Sequence, residues 1–291
     1  MKKKKIIFAS LLYVALALLL FSSCNNNSGE KAKSSIDSAL TDSKQIDSLT
    51  AKKKKVIEYK FATVEANFPS PFEIVNDLHK YDAPFNKELL NPFSNVDKYI
   101  TSYKKEVNFG IYGIDLAYIN FYGKNQAMIS YYTAIQKIAK DLNMDKVFDE
   151  YAMRFKSNSD NHDSVLSIVD NVFNETDRYL RKNERFVAAS HILAGALIEL
   201  NYLSLNLVRD IKRTSDNGPF FEKIYNENLY IYHLIKLFEE YTDKDSKDLL
   251  SSLKSYSTAY NEIIKTNHDL TPEKINKVIL LTNDLRNKMI E

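Results

Sequence analysis

The sequence predicts an all-α protein, a single compact antiparallel array of about eight to ten helices that follows a leader and a spacer. Three observations carry this expectation. Apolar residues recur at steps of three and four through most of the chain beyond residue 68. Period-two runs are missing, and no Asn-Gly or Asp-Gly pair sits between alternating apolar segments. Only six Gly and six Pro occur, most of them at segment boundaries.

The chain opens with Lys2 to Lys5, then an apolar run from Ile6 to Phe21 broken only by Ser10, then small residues and Cys24. A charged start, a short apolar core and a small-residue end are the layout of a secretory signal, here 1–23. The run falls short of the roughly 20 residues that cross a bilayer comfortably and turns polar at once. Cys24 is the only cysteine, so a disulfide framework within the chain is excluded.

The flank Leu20-Phe21-Ser22-Ser23-Cys24 resembles the lipobox of bacterial lipoproteins, with Phe21 where that family usually has Leu. The resemblance implies cleavage before Cys24 and acylation of its sulfur and new amino group. Each buried CH₂ contributes about 0.8 kcal/mol and stable anchoring needs more than one chain, which a triacylated cysteine supplies. The mature chain would then be 24–291, with Lys+Arg falling from 40 to 36 against 38 acids, so that a formal +2 becomes −2. Nucleic acid is therefore not an expected partner. Asn25 follows the Cys and the first acid is Glu30, which for such a lipoprotein implies the outer membrane, facing the periplasm.

Residues 24–67 read as a lipidated N-terminus and flexible spacer rich in Ser, Lys, Asp and Asn, too polar to offset the entropy of ordering. Lys52 to Lys55 read as part of a solvated linker, with attraction to anionic headgroups as the alternative, and "VIEYKFATVEANF" as an extended strap. The folded domain is expected over 68–291. Ser70, Pro71 and Glu73 form a capping box, and Thr271-Pro272-Glu273 makes a second cap. The helices fall at 71–80, 97–107, 110–122, 125–141, 144–156, 162–182, 185–214, 219–240, 246–267 and 272–290, with a domain split near 215 as the alternative. No period of the length helical repeats require is present.

Two segments, 108–123 and 185–208, are apolar nearly all round and read as buried central helices. The second has the length of a membrane span. His191, Glu199, Asn201 and Asn206 argue for a soluble helix, because a carboxylate at mid-bilayer costs about 3 kcal/mol or more. Gly110, Gly113 and Gly195 are expected to let neighbouring helices come close.

Inside these two helices stand the candidate site residues Asp115, His191 and Glu199. Tyr112 and Tyr118 flank Asp115, and His191 lies about 80° around its helix from Glu199. A buried carboxylate must be paired, hydrogen-bonded or protonated. One reading has each satisfied internally by a Tyr hydroxyl, an Asn amide or an Arg. The other makes them the polar spot of a small-molecule site in an aromatic cavity. Metal ligation has little support, since the five His are scattered and Asp160, His162 and Asp163 form only a loose cluster near a helix start. The His-x-x-Glu pair of imelysin-type lipoproteins, Gly-rich phosphate loops and nucleophile elbows are absent, so neither a catalytic activity nor a cofactor is expected. As a whole, 68–291 resembles the all-helical envelope lipoproteins of Bacteroidetes-type bacteria, a likeness that implies location and fold but no site. The functional expectation is an anchored domain that binds or scaffolds an envelope protein or a peptidoglycan-related partner.

Overall fold

Thr101, Asn161, Asp243 and Thr271 each accept a hydrogen bond from the backbone N–H three residues on, and each opens a helix. The computed structural model that places them describes residues 50–67, 77, 80–81, 83–158 and 161–291. Its helices are α1 (51–67), α2 (Ser102–Phe121), α3 (Asn125–Asp141), α4 (Asp145–Ser157), α5 (His162–Lys182), α6 (Phe186–Val208), α7 (Gly218–Phe238), α8 (Lys244–Ile263) and α9 (Pro272–Ile290). Short 3₁₀ turns occupy Lys87–Leu89, Phe93–Lys98 and Asn267–Asp269. The protein is all-α, with no strand among the described residues. The leader, Cys24, the spacer up to residue 49, the Ser70-Pro71-Glu73 cap and most of the expected 71–80 helix lie outside the described residues.

Ala51–Glu291 forms one compact unit, so the alternative split near 215 is not taken. Its connectivity is two four-helix circuits. From α2 to α5 each helix packs on the one before, and α5 returns to α2. From α6 to α9 the same holds, and α9 returns to α6. The circuits share their most extensive contact, α2 against α6, which places these two helices at the centre. Both are buried along nearly their whole length, as their all-round apolarity requires. Among the described residues α6 is the one helix long and apolar enough to cross a membrane, yet 83% of that window is buried inside the protein.

Glycine makes the central contact this close. A Cβ on Gly110 would lie 2.0 Å from the Ile192 carbonyl oxygen, and one on Gly195 would lie 2.0 Å from that of Val107. Backbone meets backbone at this crossing, so any side chain there forces the helices apart.

The turns α2–α3, α3–α4 and α5–α6 repeat one construction. Gly123, Asn143 and Glu184 take left-handed φ values of 61°, 57° and 57°. In each, this residue's N–H and the next one bond back to the helix end in the Schellman pattern, as Gly123 to Asn120 and Lys124 to Ile119.

The structure departs from the expected elements in four places. Helices 97–107 and 110–122 are one helix, because Gly110 and Gly113 serve close packing and do not break it. The helix expected over 185–214 ends at Val208, where Asn217 holds the polar loop by accepting from Thr214 N–H and donating to Lys212 O. The helix expected over 246–267 runs over Lys244–Ile263 and is followed by a 3₁₀ turn at Asn267–Asp269. The largest correction concerns the spacer. Residues 51–67 are helical, not an extended strap, and they bury Phe61 and Val64. Lys60 holds the helix down by donating to the Lys236 carbonyl and pairing with Glu240 at the C-terminal end of α7.

Candidate functional site

Two of the three candidates meet. Asp115 on α2 and Glu199 on α6 are both fully buried, and Arg286 on α9 reaches them. Arg286 donates through Nε and Nη2 to the two oxygens of Glu199, the second bond being 2.8 Å, and Nη2 also donates to the Leu89 carbonyl at 3.1 Å. Its guanidinium lies over the Tyr202 ring, 4.2 Å from the centroid. Asp115 Oδ2 accepts the Asn91 N–H at 3.1 Å. Burial and then the Glu199 charge push the Asp115 carboxyl well above its usual range, against the pull of Arg286 and the Asn91 N–H. Asp115 therefore stays protonated beside the Glu199–Arg286 ion pair, and its Oδ1 meets no hydrogen-bond partner among the described residues.

Around this pair the polar core continues without a break. Asn91 Nδ2 donates to Tyr99 and to Asn108 Oδ1, Tyr112 donates to the Pro92 carbonyl, and Asn108 Nδ2 donates to the Met289 carbonyl. These bonds fasten the irregular 86–100 segment and the last turn of α9 onto the central helices.

His191 belongs to a different cluster. Nδ1 lies 2.8 Å from Glu106 Oε2 and Nε2 lies 3.0 Å from Ser246 Oγ, while Tyr103 meets the ring edge-on and Phe238 stacks on it. Serine, histidine and carboxylate in this order are the parts of a hydrolase triad. Here the Ser246 hydroxyl is sealed from solvent, and aromatic rings cover the imidazole where a substrate would approach. The cluster joins α2, α6 and the first turn of α8.

Besides Asp115, Glu199 and Glu106, a fourth buried acid, Glu227 on α7, is not among the residues the sequence singled out. The Ser204 hydroxyl lies near it but gives its proton to the Leu200 carbonyl, so neither Glu227 oxygen receives a hydrogen bond. Burial holds the Glu227 carboxyl well above the usual range, opposed only by Ser204. The neighbouring Tyr260 hydroxyl also lacks a partner. A signal for Glu227 existed: it falls on the apolar stripe Phe220, Ile224, Ile231, Leu234 at steps of three and four. Arg286 likewise sits on the stripe of Ile279, Thr282 and Met289.

A cleft of about 680 Å³ lies between 80–89 and 206–217, with Pro84, Leu89, Asn206, Arg209 and Asn217 among its walls. None of Asp115, His191, Glu199 or Glu227 lines it. Among the described residues no group of three or more His, Cys, Asp or Glu is arranged to hold a metal ion. The Asp160, His162 and Asp163 side chains lie outside the described set. No family model, curated protein or solved structure matches the chain.

Proposed function

We propose that the chain is an envelope lipoprotein, held by acyl groups on Cys24 at the periplasmic face of the outer membrane. Its helical domain binds or scaffolds an envelope protein or a peptidoglycan-related partner and catalyses no reaction. The observation that carries the reading is the use made of Asp115, His191 and Glu199. Glu199 is committed to Arg286, Asp115 to the Asn91 N–H, and His191 to Glu106 and Ser246, all within the packed interior. Groups held this way tie helices together, and they are closed to the solvent from which a small molecule would come. That favours the binding or scaffolding role over a small-molecule site at Asp115, His191 and Glu199.

Two measurements test it. Palmitate labelling in cells should mark the wild type and spare Cys24→Ala; equal label in both defeats the anchor. Glu199→Gln should lower the melting temperature while the folded protein still captures the same partner from detergent-solubilised envelope. Loss of that partner at unchanged stability would instead make the buried pair a recognition site.

A further inference from the structure

From the outer face of α1 we infer a second attachment: an anionic lipid surface is the partner of a basic, aromatic stripe running along this helix. The inference rests on the membrane-tethered reading proposed above and adds to it the way the domain sits on the bilayer.

As a helix, 51–67 has two faces. Phe61 and Val64 point into the core, Lys54 pairs with Glu184, and Glu65 pairs with Arg181. Opposite them Lys52, Lys55, Tyr59, Ala62 and Ala66 are exposed and fall within about 80° of helix surface. Lys53 is also exposed but lies about 100° from Lys52, off the stripe and towards Lys60 and Val64, and the half-buried Glu58 borders the stripe about 40° beyond Ala62. Lys52, Lys53 and Lys55 form no ion pair among the described residues, and the stripe holds no acid. Tyr59 is 74% exposed. Lysine heads next to a phenol with an apolar body and a polar tip match the headgroup layer, where amphipathic rings settle and long cationic side chains reach phosphates.

Chain length supports the same partner. From Cys24 to Lys52 the chain spans no more than about 100 Å when fully extended, so an anchor at Cys24 keeps this stripe close to lipid. Tethering turns a weak surface attraction into an intramolecular event at high effective concentration. Each lysine near an anionic surface strengthens attachment about fivefold. The four lysines at 52–55, which suggest a solvated linker when read as sequence, are on this account two surface contacts, Lys52 and Lys55, a clamp, Lys54, that orients the helix, and Lys53, which adds charge from the flank.

The test places a fluorophore on Ala62→Cys in the full chain, within vesicles containing a nitroxide-headgroup quencher. Quenching should be strong with phosphatidylglycerol present and weak in pure phosphatidylcholine. It should fall to the weak level at about 1 M NaCl, where the Debye length is about 3 Å. The Lys52→Gln/Lys53→Gln/Lys55→Gln variant should behave as high salt does, with the singles intermediate and all melting like the parent. Quenching that ignores lipid charge, or survives the triple change, overturns the inference and leaves an acidic protein surface as the occupant. The parent chain without Ala62→Cys separates the two readings. An acylated Cys24 takes no thiol label; labelling there refutes the anchor, whereas the lipid-charge dependence at residue 62 reports on the stripe alone.

Discussion

Glu199 and Glu227 face the same problem and solve it differently. Both are carboxylic acids with no exposed surface, one on the central helix α6 and one on the neighbouring α7. Glu199 is paired with Arg286, which donates to both of its oxygens. Glu227 has no cation in contact among the described residues, and the Ser204 hydroxyl near it donates to the Leu200 carbonyl, so it holds its own proton. A buried acid is therefore stabilised either by a partner brought from far along the chain or by staying neutral. The two solutions respond in opposite ways to mutation and to pH.

The sharpest way to break the contrast is to remove the counter-ion. Arg286→Met leaves Glu199 charged and unpaired, and should destabilise the protein by about 3–5 kcal/mol in urea unfolding at pH 7. Glu199→Gln should cost a similar amount by stranding the guanidinium. A loss below about 1 kcal/mol in both would mean that the pair is not ionised.

At Glu227 the sign reverses. An unfolded glutamic acid ionises above about pH 4.3, whereas the folded protein retains the proton because its carboxyl is raised. Between those two values the folded state binds more protons, so stability falls as pH rises, by up to about 1.4 kcal/mol per unit. Glu227→Gln removes that term. It should lie close to the wild type near pH 4 and become progressively the more stable of the two as the pH rises towards 7. A constant difference across this range would show that Glu227 is ionised in the fold.

Asp115 belongs with Glu227 in protonation although it lies beside the Glu199–Arg286 pair. Asp115→Asn keeps an acceptor for the Asn91 N–H, so it should flatten the pH dependence at a change of about 1 kcal/mol or less at pH 5. The smallest effect is that of salt. The Glu199–Arg286 pair is out of reach of counter-ions, so the Arg286→Met penalty should hold within about 0.5 kcal/mol between low salt and about 0.5 M NaCl.

Much of this architecture is legible in the sequence, and the exceptions have physical causes. Asp115 and Glu199 stand out because a charge in an all-apolar helix has nowhere polar to turn. Arg286 and Glu227 sit on amphipathic helices, where a charged residue reads as the edge of the solvent face. The pairing of Glu199 with Arg286 spans 87 residues, a separation over which helical periodicity carries no information. Equally hidden was α1, since four consecutive lysines mask the spacing of Ile57, Phe61 and Val64 that docks it. The central crossing was foreseeable from its glycines, though not that Gly110 meets α6 and Gly195 meets α2 backbone to backbone.

That crossing also governs the order of assembly. The segment of α2 from Glu106 to Asn120 is continuously buried, and its main cover is α6, which follows it only after three more helices. Until residue 195 has left the ribosome, a nascent chain carries this stretch without its lid, a sticky intermediate suited to chaperone capture. The two circuits must thus mature together, and a product that stops before α6 should aggregate instead of surviving as a half-sized fold.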